Sequence, residues 1–307
     1  MLAPGAEWIV SAASEAQALC FFVPDVIDRA LIARLPQLKV LAAFGKGYDN
    51  VDVNAASERG IWVTNVPNAL TEATADMAFA LLLASARRVA AGDALVRDGL
   101  TPGWHPARLL GSAVYGARLG LLGFGAIGRA LARRASGFAM QVTYYDPVRP
   151  TPGIERAYGV RYAERDEVLR RSDHVVIAYP LDPRAPATIG ARELALLPPH
   201  ATLVNIARGS LVDEAAIAAA LGAGTLGAFA SDVFALEDPT PSRPAAIDPA
   251  LLRERERTVL TPHLGTAVLA DRAELARVQA RCVLQALRGE RPLGAVNDVA
   301  PRPTVVR

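Results

Sequence analysis

Residues 119–146, LGLLGFGAIGRALARRASGFAMQVTYYD, constrain this chain more than any other stretch. An apolar run, Leu119 to Leu122, reads as a buried strand and enters Gly123-Phe124-Gly125-Ala126-Ile127-Gly128. A helical pattern follows through Arg134, and a second apolar run from Gln141 to Tyr145 ends on Asp146. Strand, glycine turn, helix, strand and acid together form the dinucleotide-binding fingerprint in the context it requires. Gly123 permits the tight turn, Gly125 lets the backbone approach a pyrophosphate, and Gly128 lets the helix pack on the strand. The phosphates are expected at the helix N-terminus, where free N–H groups and the helix dipole favour anions. Asp146 is expected to accept hydrogen bonds from the adenosine ribose hydroxyls. That favours NAD over NADP, because a carboxylate repels a 2′-phosphate; Arg149, three residues later, pulls the other way. The bland alternative is a glycine turn that serves packing alone.

At 307 residues the chain allows about two domains. Its net charge of +2 is too small to argue for nucleic acid or a membrane surface as a partner. The longest apolar run, Met77 to Ala84, sits between polar Thr71-Glu72 and Arg87-Arg88, too short to span a bilayer. Glu7 and Glu15 interrupt any apolar signal-peptide core, so a cytoplasmic protein is expected. The two cysteines, Cys20 and Cys282, lie in apolar-patterned segments and read as reduced core thiols. Neither clusters with the four histidines at a metal-ligand spacing, so no metal site is expected.

Taken in order, strands are expected at 18–23, 38–44 and 61–63, with helices at 26–35 and 51–59 between them. Thr71 is a plausible N-cap for a long helix over 72–97. The Gly- and Pro-containing stretch 100–116, with Trp104, reads as a loop. After the fingerprint, strands are expected at 172–178, 202–206, 227–233 and 258–260, with helices at 191–197, 213–221 and 268–287. The alternation implies an α/β protein with parallel sheets and working groups at strand C-terminal ends. A Rossmann-type doubly wound domain at 71–267 is expected between two pieces, 1–70 and 268–307, of a smaller substrate domain.

Three polar residues stand where strands end. Arg208 follows the strand closing at Ile206, Glu237 follows Asp232-Val233-Phe234, and His263 follows Leu260-Thr261-Pro262. Hydride transfer from a C–H bearing an ionising O–H needs a base, and histidine titrates in the right range. A neighbouring carboxylate orients the ring and favours the imidazolium. An arginine fork grips a small anion through two parallel hydrogen bonds. Each also has a plain reading: His263 as a loop or capping residue, Glu237 as a solvated turn acid beside Asp238-Pro239, Arg208 as an ion-pair partner of Asp213 or Glu214.

The chain resembles the D-isomer-specific 2-hydroxyacid dehydrogenase family over nearly its full length. The matching stretches are GKGYDNVD (45–52), TEATADMAFALLLA (71–84), LGLLGFGAIGRALA (119–132), VNIARGSLVDEAAIAAAL (204–221), SDVFALEDP (231–239) and TPHLGT (261–266). The resemblance implies a flavodoxin-like substrate domain, Arg208 on the substrate anion, His263 as acid/base and Glu237 as its partner. It implies that Asp232 holds the nicotinamide carboxamide and that Thr74, Pro180 and Ala207 reach the cofactor. It also implies a homodimer built around the helix that starts near Thr71. Family members carry a further strand and helix ahead of what is here Ala3, so an abbreviated substrate domain or a downstream start is expected.

One branch, the phosphite (phosphonate) dehydrogenases, resembles the chain further, through Lys46 in Gly45-Lys46-Gly47, the Gly103-Trp104-x-Pro106 loop, Arg243-Pro244, residues 247–252 and Arg272. Two cations, Lys46 and Arg208, suit a doubly ionised oxyanion better than a monocarboxylate. A solvated turn lysine is the plain reading of Lys46, and a packing role that of Trp104. Lys46, Gly47, Trp104, Thr266 and Arg272 are thus the expected substrate residues. The chain departs from that branch at Leu109, where those enzymes have tyrosine, and at Ala207, where they have cysteine. NAD-dependent oxidation of phosphite is the leading expectation. The alternatives are a D-2-hydroxyacid dehydrogenase or 2-ketoacid (glyoxylate or hydroxypyruvate) reductase, and an inactive NAD-sensing regulator.

Overall fold

The computed structural model describes residues 14–67, 70–100, 103–181, 188–238 and 244–299. Two compact units divide it, 1–70 with 266–307 and 71–265. Expectations that concern the first thirteen residues, Pro239 and Arg243 lie outside the described residues.

In the first unit, strands β1 (Ala18–Phe21), β2 (Val40–Ala43) and β3 (Trp62–Thr64) pair in parallel in the order β1-β2-β3. Helices α1 (Arg29–Ala33) and α2 (Val53–Glu58) connect them. Asp28 caps α1 by accepting from Leu31 N, and Asp52 caps α2 by accepting from Ala55 N, both at 2.8 Å. The two caps hold short helices that would not persist alone. β2 is buried along its whole length, as the central strand of a parallel sheet must be.

The second unit opens with α3 (Thr71–Ala86) and α4 (Val89–Arg97). These replace the single long helix expected over 72–97, and Thr71 is a residue of the first turn rather than its cap. The break is at Arg88, whose backbone is left-handed (φ 55°). That turn carries the Arg88 guanidinium to the carbonyls of Gly227 (3.1 Å) and Glu256 (3.4 Å). Next among the described elements come β4 (Arg118–Leu122), α5 (Ala126–Gly137) and β5 (Gln141–Tyr145).

Next come α6 (Pro152–Tyr158), β6 (Val160–Tyr162) and α7 (Arg165–Arg171), none of which was expected from the sequence. β7 (His174–Ile177), α8 (Ala191–Leu194), β8 (Thr202–Asn205), α9 (Glu214–Gly222), β9 (Ala228–Ser231), α10 (Pro249–Arg253) and β10 (Thr258–Leu260) complete the unit. Among the described residues its sheet has seven strands, all parallel, in the order β10-β9-β8-β7-β4-β5-β6. This is the Rossmann-type doubly wound sheet. The order reverses between β4 and β7, which makes the crevice above them the place where such sheets bind ligands.

Two cores cover the faces of this sheet. Leu81, Leu82 and Phe79 of α3 and Leu131 of α5 fill one with Phe124 and Tyr144. Val168, Leu194, Ile217 and Leu251 from α7 to α10 fill the other. Each fully buried leucine or isoleucine contributes about 1.5–3 kcal/mol, so the fold rests on these two layers.

The chain then returns to the first unit through α11 (Leu269–Leu287). Gln279 of α11, itself buried, donates its side-chain N–H to the Ala42 carbonyl at 2.9 Å. Cys282 is buried as expected. Cys20 is exposed instead, because β1 is an edge of the three-stranded sheet and Cys20 points away from its core. No described helix is long and apolar enough to cross a membrane. Among the described residues, no group of three or more His, Cys, Asp or Glu is placed to hold a metal ion.

Candidate active site

The fingerprint turn joins β4 to α5 at the carboxyl edge of the seven-stranded sheet. Gly123 has φ 101°, and a Cβ there would lie 2.7 Å from the Ala178 carbonyl carbon. A Cβ on Gly128 would lie 2.3 Å from the Gly123 carbonyl oxygen, so the helix meets the turn in direct backbone contact. Gly125, by contrast, faces open space. It caps α5 without any side-chain hydrogen bond, which leaves the first-turn N–H groups available to an anion. Gly125 and Ala126 are exposed and Ile127 half-buried. These residues fit a dinucleotide pyrophosphate.

Asp146 follows β5. Its Oδ2 accepts from Phe124 N at 2.8 Å and its Oδ1 from Val148 N at 2.9 Å. The same carboxylate that is placed to meet a ribose therefore also fastens the glycine turn, with lone pairs left over for hydroxyls. Pro180 is exposed just beyond β7, and Ala207 half-buried just beyond β8.

Further along the same edge, three turns assemble the second group. After β8, the Asn205 side chain accepts from Ala207 N at 3.1 Å and donates to the Arg208 carbonyl at 2.7 Å, which fixes the backbone that carries Arg208. The Arg208 guanidinium donates to the Ala207 carbonyl at 2.8 Å. Gly209 comes next, and a Cβ on it would lie 1.8 Å from the Phe234 carbonyl carbon. Ser210 N donates to the buried Asp238 carboxylate at 2.7 Å. The Arg208 turn is thereby locked against the turn that bears Glu237.

Glu237 Oε1 accepts from Phe234 N at 3.0 Å, and its Oε2 accepts from His263 Nδ1 at 2.6 Å. Glu237 is thus no solvated turn acid. Asp213 caps α9 through Ala216 N, and Glu214 accepts from Ala235 N and Asp248 N, so both acids are engaged by backbone donors.

His263 has a left-handed backbone (φ 56°), uncommon for any residue but glycine. Asp232 holds it there. Only 2% of Asp232 is exposed, and its carboxylate accepts from Thr261 Oγ1 (2.6 Å), Leu264 N (2.7 Å) and Gly265 N (2.7 Å). Its carbonyl accepts from His263 N at 2.8 Å. Buried Thr74 on α3 lies against Gly265, where a Cβ would be 3.7 Å from Thr74 Cγ2. With Nδ1 committed to Glu237, the Nε2 of His263 is the ring atom left to exchange a proton.

The structure therefore brings Arg208, Glu237, His263 and Asp232 to linked turns on one sheet edge, the edge that also holds Gly123 to Gly128 and Asp146, with Thr74 of α3 against the last of these turns. Sequence reasoning missed Asn205, Gly209 and Asp238, which build the frame. The asparagine and the glycine flanking Ile206-Ala207-Arg208 were the available signal.

Lys46, Gly47 and Arg272 belong to the first unit. Lys46 is exposed, its carbonyl accepting from Asn65 Nδ2 at 2.8 Å, and Gly47 is half-buried. Arg272 on α11 places its guanidinium 5.9 Å from the centre of the Phe44 ring, two residues before Lys46. Thr266, half-buried, opens the second piece of that unit. Trp104 is 89% exposed, which leaves it no pocket to line within its own surroundings. Leu109 has φ 48° and sets its side chain over Gly92 of α4.

Residues 79–265 match the family described as D-isomer specific 2-hydroxyacid dehydrogenase, NAD binding domain. The chain is 41% identical over 295 residues to the glyoxylate reductase of Pyrococcus furiosus, which covers 95% of this chain and 85% of that one. It is 40% identical over 287 residues to the glyoxylate reductase of Thermococcus litoralis, covering 92% and 84%. Among solved structures, a protein of Thermus thermophilus superposes with a TM-score of 0.85 at 38% identity, covering 97% of this chain and 91% of that one. This chain belongs to the D-isomer specific 2-hydroxyacid dehydrogenase family and is an NAD-dependent oxidoreductase.

Proposed function

We propose that the enzyme interconverts a small 2-keto acid and its D-2-hydroxy acid, with glyoxylate or hydroxypyruvate reduced by NADH. The single observation that carries this reading is the His263–Glu237 pair, held at 2.6 Å beside the Arg208 turn. His263 Nε2 and the Arg208 fork are the donors that a keto acid's carbonyl and carboxylate need, with Glu237 holding the ring from behind. The glyoxylate reductase relatives, at about two-fifths identity, support the choice of substrate.

Phosphite, the leading expectation from the sequence, is replaced by this alternative. It rested on Lys46 and on the likeness of the Trp104 loop. Lys46 is an exposed turn residue, Trp104 is out in solvent, and Leu109 packs on a helix. The glyoxylate reductase relatives favour a keto acid over phosphite.

Gly123 to Gly128 and Asp146 would hold NAD, which would supply the hydride acceptor or donor. The chain's own residues do the rest. Arg208 grips the substrate carboxylate, a planar anion matched to its fork. In reduction, protonated His263 gives its Nε2 proton to the carbonyl oxygen as that oxygen becomes a hydroxyl; in oxidation Nε2 takes the proton back. Glu237 keeps Nδ1–H bonded, so Nε2 stays the exchanging atom, and offsets the charge of the protonated ring. Asp232 fixes the loop that carries His263. The exposed apolar side chains of Val89 and Val96 on α4, with Leu100, Leu110 and Tyr115 after it, support a homodimer.

The test is initial rates with NADH against glyoxylate, hydroxypyruvate and pyruvate, beside NAD with phosphite, glycolate, D-glycerate and D-lactate. Turnover of keto acids far above phosphite is expected; the reverse order would refute the reading.

A further inference from the structure

Arg149 is the one cation close after Asp146 in sequence, and an arginine near that point is what lets a dinucleotide fold accommodate a 2′-phosphate. Its guanidinium is already engaged. Nε donates to Glu155 Oε1 at 2.7 Å and Nη2 donates to Glu155 Oε2 at 3.0 Å, a two-point fork onto the first turn of α6. The guanidinium also stacks 4.7 Å from the centre of the Tyr162 ring on β6. Glu155 is itself fastened: the hydroxyl of fully buried Tyr144 donates to its Oε1 at 2.7 Å, and its side chain is only 13% exposed. The Arg149 hydrogen bond first, and the Tyr144 hydroxyl next, lower the Glu155 carboxyl to about 2, so it stays anionic wherever the enzyme works.

The arrangement gives an arginine one fixed partner at each contact. A bidentate guanidinium–carboxylate bond to a sheltered glutamate is among the stronger polar contacts a surface offers. An incoming phosphate would have to displace it. Asp146 remains on the other side of the comparison, its charge favouring ribose hydroxyls and opposing a phosphate.

We propose that Glu155 is a specificity determinant for the dinucleotide, withholding Arg149 from the 2′ position of the adenosine ribose and so excluding NADP. Two layers then act together: Asp146 repels the 2′-phosphate, and Glu155 removes the cation that would attract it. The second layer is absent from the fingerprint because it lies in α6, beyond the strand where the motif ends.

The test is calorimetric titration of the full-length enzyme with 2′,5′-ADP, which carries the 2′-phosphate, and with 5′-AMP, which does not. Wild type is compared with Glu155→Gln, Arg149→Ala and the double variant. Glu155→Gln keeps the Oε1 acceptor for Tyr144 but removes the charge and puts an N–H donor where Oε2 accepted from Arg149 Nη2, which breaks the fork. It is expected to tighten 2′,5′-ADP binding about tenfold, the factor one charge-assisted hydrogen bond carries, with 5′-AMP unchanged. Arg149→Ala alone is expected to change neither ligand, and in the double variant the gain is expected to vanish.

A parallel fall in the NADPH-to-NADH ratio of KM values is expected for Glu155→Gln. The proposal is overturned if Glu155→Gln leaves 2′,5′-ADP binding where it was, or if the gain survives removal of Arg149. Weaker 2′,5′-ADP binding by Arg149→Ala alone would overturn it too. That result would mean the arginine already serves the phosphate in the wild type, and it needs no Glu155 variant to fold.

Discussion

His263 adopts a backbone that costs a β-carbon residue energy, and the carboxylate of Asp232 supplies the compensation. Replacing His263 by Asn, a residue that tolerates the left-handed region, is expected to leave the fold intact. Catalysis should drop about 10²–10⁴-fold, the usual contribution of a positioned acid or base; steady-state kcat beside a thermal melt checks both. Asp232→Asn puts an N–H where the loop presents only donors. A loss of about 1–3 kcal/mol per unsatisfied group is expected, measured by chemical denaturation. kcat is expected to fall as well, because the histidine is no longer held. Gly209→Ala tests the contact between the arginine and glutamate turns. With no room for a Cβ, it is expected to cost roughly 1–3 kcal/mol and to separate Arg208 from Glu237, seen as a higher KM for the keto acid. These residue roles were unevenly legible. Arg208, Glu237 and His263 stood out because they end strands. Asp232 read as a cofactor contact, since nothing in a linear sequence says which backbone N–H groups a carboxylate will gather.

At the scale of elements, helix α6 and strand β6 were invisible beforehand. Residues 148–171 are rich in Arg and Glu, and three-residue β6 is too short to show alternation. The Arg149–Glu155–Tyr144 cluster ties them to β5, beside the β5–β6 pairing, and has a pH signature. The folded-state pKa of Glu155, about 2, lies below its ordinary 4.5. Its contribution is therefore fully present above about 4.5 and is lost as pH falls from there toward 2. Acid titrations followed by far-UV circular dichroism are expected to show that slope, flattened in Glu155→Gln. A second titration acts higher. His174 on β7 is buried, with Nε2 bonded to the Ala113 carbonyl at 2.9 Å, and burial lowers its pKa from 6.5. The neutral ring is the folded one. Stability is expected to decline as pH drops below 6.5, and less so in His174→Gln, by urea denaturation at pH 7.5, 6 and 5. The α3–α4 break was equally hidden, because Arg87-Arg88 reads as a good helical pair until Arg88 is seen reaching for Gly227 and Glu256.

For the whole molecule, the parallel sheets were readable because buried strands alternate with helices at regular intervals. Substrate choice was not readable, since a lysine in a glycine turn has the same letters whether it meets a ligand or water. A further consequence follows from the path of the chain. The unit made of 1–70 and 266–307 is discontinuous, and its central strand β2 receives a hydrogen bond from Gln279, which is translated only after all of 71–265. On the ribosome, β1 to β3 must wait while all of 71–265 is translated, roughly ten to forty seconds at about 5–20 residues per second. Through that interval the nascent chain holds one half-built sheet beside a unit that has everything it needs to fold. The early strands are then the natural client of a chaperone, and α11 is the step that ends their dependence on one.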